Sequence, residues 1–319
     1  MIPNLVGGNE PIWEAIGLLV SFVGTMVLTA LFCDRLPKDG GRAFAHDGKL
    51  SAGKPRGAGL IFVAVFTITA LLFVPFHMET CIYLILVAAE MMTGYMDDAS
   101  EKPWGEWKKG ILDLVIAIIV AVTYLSFHSN EIYLAFLHRT VEIPELLFGI
   151  LIVILVWASI NVTNCSDGVD GLSGTLVLVT LGTFYILDEQ LDAQGDFSGV
   201  ILVFMSCILA YLWYNATPSK LTMGDAGSRA MGIFLSIVAL KSGSPLLYIP
   251  VALVLILDGG LGLVKVTLIR VCKLYIMKNI RTPLHDHVRK VKGWSNTQTV
   301  FRFAIIQIVL AVIVVYGIS

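Results

Sequence analysis

Apolar segments about as long as a lipid bilayer is thick recur from one end of this 319-residue chain to the other. A helix needs about 20 apolar residues to cross roughly 30 Å of hydrocarbon, and inside that solvent only helices and closed barrels satisfy their own backbone. On that rule ten candidate spans can be drawn, at approximately 12–32, 57–76, 80–96, 109–127, 144–162, 171–187, 198–216, 227–242, 246–272 and 299–318. No stretch between them reads as a soluble domain, so residues 1–319 are expected to form a single all-α polytopic membrane domain. Composition agrees, with 56% hydrophobic and 14% charged residues against the roughly 25% charged of soluble domains. The cysteines Cys33, Cys81, Cys165, Cys207 and Cys272 have neither ligand nor disulfide spacing and read as small hydrophobes.

The basic residues give the orientation. Nearly all of the 22 Lys and Arg fall in loops on one side of the ten segments, Arg229 among them, and only Arg139 and Lys241 on the other. The basic side is therefore expected to be cytoplasmic, with both termini outside. Residues 131–143 on the outer face alternate apolar positions and suggest a short hairpin. A formal net charge of −2 singles out no partner class, and nucleic acid is not among the partners expected.

The acids stand out against this background. Asp97-Asp98, Asp167-Gly-Val-Asp170, Asp225 and Leu284-His285-Asp286-His287 all lie at segment ends on the basic side. Carboxylates at a bilayer boundary are costly to place and call for a cation, a phosphate or a proton. Adjacent helical residues point about 100° apart, so Asp97 and Asp98 cannot share one task. One can face a metal or phosphate while the other holds Lys102 or Lys109; the plainer alternative is a solvated pair at a helix end. In Asn161-Val-Thr-Asn164-Cys-Ser-Asp167-Gly168-Val-Asp170-Gly-Leu-Ser-Gly174, a helix would set Asn164, Asp167 and Asp170 on one broad face. Oxygen ligands beside open glycine backbone suit a magnesium-bound diphosphate, and a capping turn is the structural alternative. Asp225, among small residues ahead of a span, suits a cation site or a simple N-cap. His285 and His287, amid cations, suit a phosphate or a leaving group, or else a basic segment lying on anionic lipid. In the ninth segment Asp258-Gly259-Gly260 permits a bend that would open a groove from the bilayer; a straight helix with glycines for close packing is the alternative.

The succession Asp97-Asp98, Asn161-x-x-Asn164-x-x-Asp167-Gly-x-Asp170-Gly-Leu, Tyr214-Asn215-x-x-Pro218 leading to Met223-Gly224-Asp225-x-Gly227-Ser228, then Pro283-Leu284-His285-x-His287 with Gly293-Trp294, resembles the phospho-N-acetylmuramoyl-pentapeptide transferases. These are a branch of the polyprenyl-phosphate N-acetylhexosamine-1-phosphate transferases. The resemblance runs in order over nearly the whole chain. It implies ten spans, outward termini, a broken ninth helix and a cytoplasmic cleft in a bacterial inner (cytoplasmic) membrane, with a homodimer compatible. It further implies Mg2+-dependent transfer of phospho-N-acetylmuramoyl-pentapeptide from its UDP carrier to undecaprenyl phosphate, forming UMP and lipid I for peptidoglycan. By similarity Asp97, Asp98, Lys109, Asp167, Asp170, Asp225, His285 and His287 serve catalysis, with Asp225 on the metal. Lys49, Lys54, Asn161, Asn164, Gly168 and Asn215 are assigned to substrate.

This chain departs from the family pattern in four places, one of them a segment from Asp98 to Lys109 shorter than the pattern expects. Gly53-Lys-Pro-Arg-Gly-Ala-Gly59 replaces a Gly-Thr-Pro-Thr-Met-Gly-Gly stretch, Asp286 interrupts a run of histidines, and Thr222 stands where an aromatic is expected. A sister N-acetylglucosamine-1-phosphate transferase and a transporter or flippase are the rival readings, the latter calling for acids near the bilayer midplane, where Glu90 and Asp258 fall.

Overall fold

The computed structural model describes residues 2, 10–41, 51–191, 197–270, 272–275 and 280–318, so the expected site residue Lys49 lies outside the described residues. Each of the ten apolar segments falls on helix. In chain order these are α1 (Glu10–Phe32), α2 (Gly59–Phe73), α3 (Met78–Asp98), α4 (Glu106–Phe127), α5 (Glu145–Ser166), α6 (Leu172–Gln190), α7 (Ser198–Asn215) and α8 (Gly224–Lys241), then the pair α9 (Tyr248–Val251) and α10 (Leu253–Arg270), the short α11 (Leu284–Lys292) and α12 (Asn296–Gly317). By length and composition α1, α4, α5, α6, α7 and α12 could each cross a membrane, and the bent α9–α10 region would make a seventh span. The chain is a multi-pass membrane protein. α2 is apolar but only 15 residues long. α3 carries Glu79, Glu90, Asp97 and Asp98, and α8 carries Asp225, Arg229 and Lys241. Of these two, α8 is the one the rest of the bundle encloses, whereas α3 keeps Met78, Ile85, Met92 and Met96 exposed.

α8 is the axis of the fold. Its residues from Gly224 to Leu240 are all buried, with α2, α3, α5 and α6 packed around it. Close approach needs residues without side chains: a Cβ on Gly94 of α3 would stand 2.5 Å from the Asp225 carbonyl oxygen. Only glycine there lets the end of α3 lie against the start of α8. Arg229 is correspondingly no loop cation, being 2% exposed inside the bundle, so it drops out of the charge count that orients the chain.

The ninth segment does break, residues 245–251 meeting 253–269 at 89°, but at Ala252 rather than at Asp258-Gly259-Gly260. Those glycines sit within regular helix, where Gly259 abuts the backbone of Val162 on α5. Their job is close packing. A break leaves the first N–H groups of the next helix without partners, a serious cost in hydrocarbon. Gln307 of α12 meets it: its Oε1 accepts from Leu255 N at 3.2 Å, while its Nε2 donates to Leu176 O and Thr180 Oγ1 at 2.8 Å each.

The expected hairpin is present as β1 (Glu131–Leu134) paired antiparallel with β2 (Arg139–Glu142). Tyr133 N donates to Gly243 O at 2.9 Å, tying the hairpin to the end of α8.

Candidate active site

The end of α3, the start of α4 and the start of α8 meet at one point, each bringing charge. Lys109 Nζ lies 2.5 Å from Asp97 Oδ2 and 2.9 Å from Asp225 Oδ2, so one ammonium bridges two helices. Arg56 makes the second bridge, from Nε to Asp98 Oδ1 at 2.7 Å and from Nη2 to Asp225 Oδ1 at 3.1 Å. The result is an alternating row, Asp97–Lys109–Asp225–Arg56–Asp98. Burial lowers the Arg56 pKa, yet the carboxylates of Asp98 and Asp225 outweigh it and the net shift is upward. The guanidinium stays charged.

The two adjacent aspartates do different things, as their divergence on the helix requires. Asp97 accepts from Trp104 N at 2.6 Å and holds Lys109. Asp98 accepts from the backbone N–H groups of Asp225 and Ala226, each at 3.1 Å, and its side chain is fully hidden. It caps α8 from another helix, where a negative charge meets the positive end of the dipole. The Asp225 side chain is thereby left free to face Lys109 and Arg56.

Arg56 was not legible as a site residue, and a backbone clamp explains its position. Thr222 N donates to Pro55 O at 2.9 Å, Ala58 N to Thr222 O at 3.1 Å and Gly59 N to Met223 O at 3.0 Å. This short ladder lays the 55–59 loop along the approach to α8. The signal available in sequence was the basic substitution within Gly53–Gly59.

The second acidic motif is a turn, not the helix that would have aligned Asn164, Asp167 and Asp170. α5 stops at Ser166, with Asp167 as its C-cap, and α6 starts after Gly171 at φ +82°. Asp-Gly after the last turn and a left-handed Gly171 end one helix and begin the next. Asn164 still lies on α5 and donates from Nδ2 to Ser228 Oγ at 3.1 Å, reaching α8. Asp170 turns toward the loops: its Oδ2 accepts from Ser219 N at 3.2 Å and lies 3.6 Å from Lys54 Nζ. Asn215 accepts from Gly171 N at 2.8 Å and donates to Leu221 O at 2.9 Å, so both ends of its amide join loops. Asn161 donates to Asp113 Oδ2 at 3.1 Å, away from the row of charges.

α11 closes the other side. His285 Nδ1 lies 2.8 Å from Asp258 Oδ2, and its backbone N donates to Asp258 Oδ1 at 2.7 Å, a carboxylate on α10 orienting the ring. The opposite ring edge presses on Gly168, where a Cβ would collide with Nε2. Arg289, 4% exposed, bonds Asp286 at 2.7 Å. His287 Nδ1 accepts from Arg281 N at 3.3 Å.

One pattern runs through these contacts. The acids lie behind, with the side chains of Asp97, Asp98 and Asp225 at 3%, 0% and 10% exposure, while Lys109, Arg56 and Lys54 reach 21%, 22% and 25%. Buried carboxylates hold a set of cations toward the opening. Such a surface receives anions, and the guanidinium and ammonium heads suit phosphate. For a metal, the donors near Asp225 are oxygens without thiolates, and each Asp225 oxygen keeps a lone pair beyond its one ionic bond. Among the described residues no group of three His, Cys, Asp or Glu is arranged to hold an ion alone. The residues therefore fit a hard cation carried largely by substrate phosphates and anchored by one or two carboxylates, the usual habit of magnesium.

Fold and site together define an integral-membrane transferase. The family model described as Glycosyl transferase family 4 matches residues 80–243, from the start of α3 to the end of α8. The chain is 39% identical over 295 residues to the phospho-N-acetylmuramoyl-pentapeptide-transferase of Treponema pallidum (strain Nichols), covering 87% of this chain and 81% of that relative. It is 28% identical over 311 residues to the enzyme of that name from Clostridium botulinum (strain Alaska E43 / Type E3), covering 93% and 94%. With that of Bartonella quintana (strain Toulouse) the identity is 26% over 322 residues, covering 93% and 89%. The chain belongs to the phospho-N-acetylmuramoyl-pentapeptide-transferase family and is a glycosyl-1-phosphate transferase.

Proposed function

We propose that this protein transfers phospho-N-acetylmuramoyl-pentapeptide from its UDP carrier to undecaprenyl phosphate, making lipid I and UMP at the cytoplasmic face of a bacterial inner membrane. The observation that carries the reading is the cationic front of Arg56 and Lys109 backed by buried acids, with Lys54 beside the partly exposed Asp170. Both reactants are phosphate anions, and bringing them together is chiefly a matter of charge neutralisation and alignment. An oxygen of the lipid phosphate attacks the sugar-bearing phosphorus of the donor; a new P–O bond forms as the bridging P–O bond to UMP breaks. Asp97 orients the lipid phosphate or takes its proton, with Lys109 held beside it at 2.5 Å. Lys109 and Arg56 neutralise the phosphates, and Asn164, Asp167 and Asp170 address the nucleotide diphosphate. His287 reaches phosphate oxygens, and His285, fixed by Asp258 and covered by Gly168, would do so only where that turn opens to substrate. Magnesium, anchored at Asp225, would supply further neutralisation of the diphosphate.

The same reading includes ten spans, both termini outside and the acidic ends of α3, α5 and α8 in the cytoplasm. The sharp bend before α10 lies beside an apolar cavity of about 310 Å³ that α5 and residues 245–256 share with Ile132 and Ile143 at the hairpin, so this cavity sits toward the hairpin end of the bundle and not at the row of charges. A paired assay tests the proposal. Purified protein with polyprenyl phosphate and Mg2+ is expected to release UMP from UDP-N-acetylmuramoyl-pentapeptide and not from UDP-N-acetylglucosamine. Release from the second donor alone would make it the sister enzyme, and release from neither would overturn the proposed donor and acceptor.

A further inference from the structure

The same three helices that meet at the site are tied again deeper in the bundle. Arg229 of α8 donates from Nε to Glu90 of α3 at 2.7 Å and from Nη2 to Asp113 of α4. All three are buried, Glu90 at 0%, Asp113 at 1% and Arg229 at 2% exposure. Each lies on the same face of its helix as a site residue. Arg229 follows Asp225 by four positions and Asp113 follows Lys109 by four, which sets both about 6 Å deeper along their helices. Glu90 precedes Asp97 by seven, about 10 Å deeper. A third tie joins the far ends, where Glu79 of α3 takes Lys241 of α8 at 2.9 Å and His128, just past α4, at 2.8 Å. That outer tie is some 24 Å from Asp225 along α8.

We infer that Glu90, Arg229 and Asp113 act as a positioning unit for the transfer, fixing how α3, α4 and α8 are rotated against one another so that Asp97, Lys109 and Asp225 meet. Stability alone does not account for them. Three buried charges are seldom better than three apolar side chains, and here acids outnumber the base. Geometry accounts for them better: one planar guanidinium bonds two helices at fixed angles, which a flexible ammonium cannot do. Nor can the site hold itself together throughout a reaction cycle. When Lys109 and Arg56 turn to substrate phosphates, their ties to Asp97, Asp98 and Asp225 loosen; Asp98 still holds the α8 backbone, and the deeper unit is the nearest tie that joins all three helices. Asp113 Oδ2 also accepts from Asn161, which extends the unit to α5, the helix whose C-cap is Asp167.

The inference rests on the activity proposed above, and UMP release from the muramoyl donor provides the test, with kcat and KM read per folded molecule after size exclusion in detergent. Arg229→Lys keeps the charge and loses the fork. It is expected to lower kcat about ten-fold or more while donor KM stays within about two-fold, since small misplacements of reacting groups cost that much. The triple change Glu90→Leu, Asp113→Leu, Arg229→Met leaves no unpaired charge and is expected to fold with an unfolding temperature at or above that of the parent, yet with kcat about 10²-fold down. Glu90→Gln, still an acceptor for Arg229 Nε, is expected to lower kcat in the same sense and covers the case in which either variant misfolds. Lys241→Met, which breaks the outer tie, is expected to lower stability alone. Parental kcat in any of the folded inner variants, or an equal fall in Lys241→Met, would overturn the inference. Should the parent use only the N-acetylglucosamine donor, the substrate reading fails and the same variants test the unit with that donor.

Discussion

Asp98 and Asp225 are the same residue type a few ångströms apart, yet their surroundings give them different work. Asp98 spends its carboxylate on two backbone N–H groups and Arg56, with no exposed surface. Removing it leaves those donors unmet, so Asp98→Ala is expected to cost about 1–3 kcal/mol of stability, seen as a lower unfolding temperature. Asp225 spends its two oxygens on Arg56 and Lys109, and Asp225→Asn is expected to abolish UMP release with the unfolding temperature nearly unchanged. Arg56→Gln removes one cation from the anion-facing row and is expected to slow UMP release about 10²-fold, the scale of losing one preorganised charge-stabilising donor. Asp97, Asp98 and Asp225 were legible in the sequence because an acid at the end of an apolar run is conspicuous by its cost, and Lys109 was by its place at the start of the fourth segment. Arg56 and Asp113 were not. Their partners lie 42 to 169 positions away, and pairing over such distances leaves no local pattern.

Among the elements, the α9–α10 break shows how a structural device can hide in an unremarkable segment. Glycines drew attention to residues 258–260, but a helix bends where its lost backbone bonds can be met, and here the acceptor comes from Gln307 on α12. Gln307→Leu is expected to destabilise the fold by about 1–3 kcal/mol, measured by thermal unfolding in detergent, because Leu255 N would face hydrocarbon unpaired. The turn at 167–171 carries a similar lesson. Its acids and glycines were legible as a ligand-binding motif, whereas their division between a C-cap, a left-handed glycine and a new helix depended on α11 and the 219–221 loop packing beside them. The hairpin, set by β-prone residues on both sides of a short connection, needed no such tertiary information.

At the scale of the whole molecule, helix content and membrane character followed directly from hydropathy. The central place of α8 did not. Its 18 residues include three charges, so by apolarity it reads as the weakest of the long helices, and it is nevertheless the most enclosed. Charges that disqualify a helix from facing lipid are what commit it to the interior. If the acidic ends face the cytoplasm, Leu137→Cys in the hairpin is expected to label from outside intact cells with a membrane-impermeant thiol reagent, and Trp107→Cys only after permeabilisation. Both side chains are exposed, at 69% and 86%. The account turns finally on whether the helix ends joined by Lys109 form one phosphoryl-transfer site. The direct measurement is UMP release from UDP-N-acetylmuramoyl-pentapeptide by the parent chain and by Lys109→Met at matched folded concentration. The parent is expected to form one UMP per lipid-linked product and the variant to be slower by about 10²–10³-fold. A folded Lys109→Met protein working at the parental rate would contradict it.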